Sequence, residues 1–454
     1  MQPHFAKRRL AFAAQLVAAL LLFASTLSRP ALGRTWYIKA DGTGDAPTIQ
    51  AGVDLASPGD IVLVGPGTYA DMSTVDIDGV STTVCVAISK DIQLVSEDGP
   101  VTTTIGNPAV QVAIYFHDAG AGATVNGFRI ATTFFPYGCV TAAKPSAAPN
   151  FQIGIKCRNF SGTLVGNHVA NNGIGIELTA SPAIVTENEV TFAAEGVQCE
   201  AGSDAQIGNN VLHDCAIMIH CVGSAPEIIA NDMYEGCEGI TSGDGSSPTV
   251  RKNTIHEFSP HGIVAGGMIT VEDNRFTNTN LSIFLNGITG TGVVRGNVFY
   301  NQISGAISLS DNPNGTIIIE QNTIDRTTFG AAIFCQRASS PIIRRNIIVH
   351  SVGGVSCVWF SFPTLECNNI FDAGSGYAGD CPDQTGVNGN ISADPQFCGA
   401  AGSGNYALQS DSPCAAGNHP VGYQCEGIGA FSVGCATVST KAATWGAIKA
   451  IYRR

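Results

Sequence analysis

Residues 210–231 read NVLHDCAIMIHCVGSAPEIIAN, a segment that begins and ends on asparagine. Asparagine returns at 167, 188, 210, 231, 253, 274, 297, 322, 346 and 368, with gaps of 21 to 25 residues. Two places after each stands an apolar side chain: Val169, Val190, Leu212, Met233, Ile255, Phe276, Phe299, Ile324, Ile348 and Ile370. Three places before most of them stands another, as in Ile228, Val250, Val271, Val294, Ile319, Ile343 and Leu365. Between lies an apolar pair, as in Ile219/Cys221, Ile263/Ala265 and Ile307/Leu309. Each period therefore holds three short strands of period-2 alternation, separated by polar turns.

A repeat of this length is a solenoid, because one coil cannot bury its apolar side alone and stacked coils can. The L-x-x-L-x-L pattern of leucine-rich repeats is missing, and no part of the period reads as a helix. Ile and Val dominate the inward positions, as buried parallel strands prefer. The asparagine is expected at the bend between the second and third strands, in the left-handed conformation, its amide bonding to copies about 4.8 Å above and below. Two places before the asparagines stand Arg251, Glu272, Arg295, Glu320, Arg344 and Glu366, a column of alternating sign. Outward placement makes this a ladder of ion pairs.

Fifty-three glycines, 7% aromatic and 13% charged residues suit a turn-rich all-β chain. Residues 1–33 read as an export signal. KRR at 7–9 is its basic start, LAFAAQLVAALLLFA at 10–24 its apolar run, and Ala31 with Gly33 a small-x-small cleavage site. That run is short for a membrane span, and no other segment is apolar enough to cross a bilayer. The mature chain is thus expected to be soluble and secreted, extracellular or at the cell surface. Removing 1–33 takes four of 23 basic residues and none of 36 acidic ones, so the net charge moves from −13 to −17. That balance argues against nucleic acid and anionic membranes as partners. It also disfavours polyuronates unless a metal ion bridges the like charges.

The period resembles the coil of right-handed parallel β-helix proteins of the pectate-lyase-like superfamily, secreted bacterial ones in particular. The matching elements are Gly175-Ile176, Gly196-Val197, Gly239-Ile240 and Gly262-Ile263, then P-x-Φ-x-x-N at 226–231, 248–253, 341–346 and 363–368, then N-x-Φ. The resemblance implies that these are strands one, two and three of each coil, most clearly over residues 120–370. Residues 35–71 resemble the N-terminal opening of pectin-esterase-like β-helices, with TIQAGVDLA a capping helix and DIVLVGPGTY the first strand and turn. Residues 393–431 resemble a C-terminal segment of secreted bacterial β-helix proteins. The expected organisation is a signal at 1–33, cap and first coils at 34–120, coils at 121–372 with an inserted loop at 131–150, a C-terminal cap at 373–436 and a tail at 437–454.

Fifteen cysteines in an exported chain permit disulfides. Cys381, Cys398, Cys414, Cys425 and Cys435 fall in the glycine-rich cap and are expected to be oxidised. Cys157, Cys199, Cys221, Cys335 and Cys357 share the inward column of Leu178, Leu285 and Leu309, as buried thiols.

In lyases and hydrolases of the resembled superfamily, the substrate groove follows the first strand and the turn before it. Here that turn carries His213-Asp214, Tyr234-Glu235 and His256-Glu257 on three consecutive coils. The adjoining strand presents Lys156, Glu177, Gln198, His220 and Thr241 outward, and farther on the neutral Val264, Phe284 and Ser308. Asp214, Glu235, Glu257, His213, His256 and His220 are the catalytic candidates, because rows of carboxylate and imidazole supply acid and base. Lys156, Glu177, Gln198 and Tyr234 are the substrate-binding candidates. The carboxylates also suit calcium, as does Asp76-x-Asp78, which a β-turn explains equally. A shallow groove is expected between the 213–257 turns and Glu177–His220. An exposed turn is polar in any case, so solvation alone also accounts for these residues. Pectin-esterase, polygalacturonase and pectate-lyase signatures are missing, as are G-x-S-x-G, Walker and Rossmann motifs in a suitable context. Two functions follow: a non-catalytic extracellular binding or structural protein, and a polysaccharide lyase or glycoside hydrolase working in the 156–257 groove.

Overall fold

The computed structural model describes residues 33–132, 152–243, 245–400 and 403–435. The second strands of successive coils stack into one 14-stranded sheet running from Thr35–Ile38 to Thr364–Glu366. Third strands and the first strands that follow them share a second sheet of 25 strands. In His168–Thr179 and Glu189–Glu200 the two strands run on without a break. Pairing along both sheets is parallel; the hairpin of Ser73–Ile77 with Val80–Ile88 is an antiparallel exception. Its turn is Asp78-Gly79, both at positive φ, and Asp76 accepts a hydrogen bond from the Gly79 amide at 2.9 Å. The turn reading of Asp76-x-Asp78 therefore holds.

The inward columns fall where the alternation places them. Leu212, Met233, Ile255 and Phe276 are consecutive register partners, and all four are fully buried. Beside them runs the asparagine ladder. Asn188 Nδ2 donates to Asn210 Oδ1 at 3.1 Å, Asn210 to Asn231 at 3.0 Å and Asn231 to Asn253 at 3.0 Å. Each acceptor oxygen also receives a backbone amide, as from Asn210 N to Asn231 Oδ1 at 3.0 Å. The ladder continues to Asn390, beyond the sequence series. The expected conformation needs correcting. The left-handed residue is the one before each asparagine: Asn209, Ala230, Lys252, Asp273 and Arg345 have φ of 55–58°. That residue turns the corner, and the asparagine amide satisfies the backbone groups the corner leaves unpaired.

The charge ladder is present in register from Arg251 to Glu366. Its centre is Glu320, whose side chain is 8% exposed. Arg295 lies 3.7 Å away, Arg344 2.8 Å and Arg345, from outside the column, 2.9 Å. Burial pushes the Glu320 carboxyl up, but hydrogen bonds from Arg345 and Arg344 outweigh it and hold the group below its ordinary range.

At the N-terminal end the helix Ile49–Leu55 forms as expected, with the Thr48 side chain accepting from the Ala51 amide at 3.1 Å. Ile49 and Val53 are buried against the first coil. At the other end, disulfides join Cys357–Cys381, Cys367–Cys425 and Cys398–Cys435. Four of the five cap cysteines are thus oxidised, while Cys414 is a free buried thiol. Cys357, expected as a thiol, is inward but bonded to Cys381. Cys157, Cys199, Cys221 and Cys335 are free and fully buried, as expected, and burial pushes Cys221 and Cys335 up to about 12.

The segment after residue 391 folds back along the third-strand face of the last coils. Tyr406 donates to Asp325 at 2.9 Å, Ala430 N to Thr323 Oγ1 at 3.0 Å, and Arg345 Nη1 to Glu426 at 2.7 Å. Ile347, Val349, Ile391, Leu408 and Ile428 make a second, smaller core beneath it. The expected export signal up to residue 32, most of the expected 131–150 insertion and the expected tail lie outside the described residues. Among the described residues no helix is long and apolar enough to cross a membrane.

Candidate functional site

The bend between third and first strands places one residue of each coil in the left-handed region. Asp214, Glu235 and Glu257 occupy it, with φ of 53°, 53° and 61°, as do Asn278 and Asn301. Short polar side chains tolerate that conformation best, which accounts for much of the column's polarity. The residues just before are register partners on adjacent strands. His213 stacks on Tyr234 at 5.0 Å and 3°, and Tyr234 on His256 at 5.1 Å and 18°. Carboxylates border this pile. His213 Nδ1 lies 2.8 Å from Asp214 and its Nε2 3.3 Å from Glu189; His256 Nε2 lies 3.3 Å from Asp232 and its Nδ1 3.9 Å from Glu257. Burial, and then Asp232 and Glu189, raise the Tyr234 hydroxyl above its usual range. Glu235 is exposed.

On the first strands a separate set forms. Lys156 pairs with Glu177, Gln198 donates to Glu200 at 2.7 Å, and His220 Nδ1 lies 3.0 Å from Glu195. Thr241 donates to Glu238 at 2.8 Å, and His261 Nδ1 lies 3.7 Å from Glu238. His261 is the main cause holding the Glu238 carboxyl below its ordinary range, with Thr241 and His220 adding to it. The six catalytic candidates thus divide. His213, Asp214, His256 and Glu257 border the ring stack, Glu235 projects from its turn, and His220 belongs to the first-strand set. Among the substrate-binding candidates, Tyr234 is the middle ring of the stack, and Lys156, Glu177 and Gln198 are tied to neighbouring side chains. Among the described residues no three His, Cys, Asp or Glu side chains gather to hold a metal ion.

A concave surface opens farther along the same sheet, across the five first strands from His261–Ala265 to Gly353–Cys357, with a volume of about 480 Å³. Its floor is the outward column that the sequence shows as neutral: Phe284, Ser308, Phe334 and Ser356 are successive register partners. His261 closes one end, stacked on Phe284 at 5.6 Å and 16°. Its Nδ1 is shielded from solvent and has no hydrogen-bond partner.

The signal for this groove is spacing. From the ladder asparagine to the inward isoleucine or valine of the next first strand is nine residues in 210/219, 231/240, 274/283 and 346/355. It is ten in 253/263 and 297/307 and eleven in 322/333. The extra residues push Ile303 and Phe329 outward, 44% and 81% exposed, and Ser304 and Gly330 line the groove below them. The two coils press together here. A Cβ on Gly330 would stand 1.7 Å from the Ser304 carbonyl oxygen, so only glycine fits.

Residues 153–278 and 239–370 match the family model described as the right handed beta helix region. No curated protein matches the sequence. The solved structures similar to this chain include the catalytic unit of an α-1,3-glucanase from Streptomyces thermodiastaticus: 13% identity, 81% of this chain and 68% of that one, TM-score 0.49. The A-module of a mannuronan C-5 epimerase from Azotobacter vinelandii is 13% identical over 77% of this chain and 95% of its own, TM-score 0.45. A pectate lyase, Pel9A, is 11% identical over 89% of this chain and 97% of its own, TM-score 0.37. Likeness this distant assigns none of their chemistry to this chain.

Proposed function

From the premise that residues 153–370 form a right-handed parallel β-helix, we propose that the chain is an extracellular protein that binds polysaccharide in the groove between His261 and Ser356. The observation that carries this reading is the aromatic floor of that groove, Phe284 and Phe334 separated by hydroxyls within about 480 Å³. Aromatic faces bury the C–H faces of sugars, and a few polar groups fix their orientation. The three disulfides among the described residues suit an oxidising compartment.

Binding without turnover fits the placement of charge. Glycosidic cleavage uses two ionisable groups flanking the scissile bond. Here His261 stands at one end, facing Glu238 outside the lining, and the rest of the lining is uncharged. The same pair is the observation that favours a second reading, a lyase or hydrolase. Glu238, held ionised by His261, would act as base, and Asp214, Glu235, Glu257, His213, His256 and His220 would be the remaining acid and base candidates. The test is titration calorimetry of the exported chain against a polysaccharide panel. Reducing-sugar and unsaturated-uronate release are measured in parallel, with and without calcium. Binding without product supports the first reading, product the second, and neither overturns both.

A further inference from the structure

We infer that the groove takes a neutral, extended polysaccharide laid along the stacking direction of the coils, alternate sugars resting on Phe284 and Phe334; this rests on the binding reading above. The floor column alternates ring and hydroxyl, Phe284–Ser308–Phe334–Ser356, one residue per coil. Parallel strands repeat every ~4.8 Å, so the two rings stand about 10 Å apart. An extended pyranose chain advances by a similar step per residue. Every second sugar therefore meets a ring, and the sugars between meet Ser308 and Ser356.

Charge selects the class. Apart from His261, every lining group is uncharged, and His261 already faces Glu238 at 3.7 Å. On the strand end adjoining Gln336, Arg337 stands 3.3 Å from Asp311 and 5.6 Å over the Trp359 ring, so its charge is already engaged. A polyuronate crossing five coils would bring one carboxylate per sugar to a lining that, among the described residues, holds no free cation, on a chain of net charge −13. A neutral glycan brings hydroxyls, which Ser308, Ser356 and Gln336 can bond.

The experiment is calorimetric titration of the full exported chain with β-1,4-linked hexasaccharides of glucose and of xylose and with the α-1,4-linked hexasaccharide of galacturonic acid. A neutral hexasaccharide is expected to bind at least roughly ten-fold more tightly than the galacturonate. Trimers, which span both rings, should bind more tightly than dimers, which do not. Phe284→Leu and Phe334→Leu keep apolar volume and remove the ring face, so each should weaken neutral binding roughly ten-fold, as loss of an aromatic anchor does. Unchanged melting temperatures separate this loss from misfolding. Tighter binding of the galacturonate overturns the neutral class and leaves the binding reading standing. No binding of any hexasaccharide or polysaccharide overturns both. Full affinity in both leucine variants overturns the placement on Phe284 and Phe334.

Discussion

The upstream and downstream halves of the first-strand sheet share one backbone and one register, yet they present opposite surfaces. Upstream, between Lys156 and Thr241, polar side chains bond one another: Lys156 with Glu177, His220 with Glu195, Thr241 with Glu238. Downstream, between Phe284 and Ser356, side chains are aromatic or small and the surface is concave. Along the upstream strands a polar group finds its partner on its own strand or one coil away, so a rich polar row satisfies itself. A groove requires relief, and one or two extra residues in the turns at 303–304 and 328–330 supply it.

Four experiments probe this contrast, in order of expected effect. Ile255, fully buried beneath the junction of the halves, is the severest test. Ile255→Asp buries an unpaired charge and should cost more than about 4 kcal/mol in denaturant unfolding, disrupting the groove with the coil. A near-wild-type midpoint would refute the register.

Next is Glu320, on the second-strand face behind the groove. Glu320→Lys places a fourth cation among Arg295, Arg344 and Arg345 and should cost about 3 kcal/mol. Because Glu320 is 8% exposed, added salt should reduce that cost only partly. Its folded-state pKa is lowered, so its contribution is present at neutral pH and disappears as pH falls through that lowered value. Wild type should therefore lose more stability on acidification than Glu320→Gln. Equal losses would show the ladder to be inert.

Third, deleting Thr328 and Phe329 restores the nine-residue spacing of 210/219 and 274/283. The chain should still melt cooperatively, while binding to neutral oligosaccharides falls ten-fold or more by the reading above. Retained binding would mean that turn length does not make the groove. The smallest effect is expected from Asp214→Asn with Glu235→Gln, since Glu235 is exposed and Asp214 borders a ring stack outside the groove. Affinity should move less than about two-fold, within the range of ordinary surface substitutions. A loss of turnover or a larger change in binding would move the site back to the turn column.

The repeat, the inward stack through Ile255, the amide ladder and the alternation around Glu320 were all legible in the residues. In a solenoid the spatial neighbour of a residue is the one a period away, so contact becomes a one-dimensional property. The polar turn was legible too, but its meaning was ambiguous, because a left-handed bend favours short polar residues whether or not they react. The groove left a trace, the drift from nine to eleven residues between Asn322 and Ile333. That drift acquires meaning only once the coils are stacked and Phe329 is seen to stand proud of a floor.

Nothing periodic foretold the return of the C-terminal segment. Tyr406 meets Asp325 across 81 residues, and Cys425 joins Cys367 across 58. The sequence alone determined what each coil does to the next, since strand alternation and repeat length specify those contacts locally. Only the tertiary structure decided which cysteines pair, which outward face the last segment covers and where the surface becomes concave. These depend on how non-repeating segments of different length lie over a surface that must first exist.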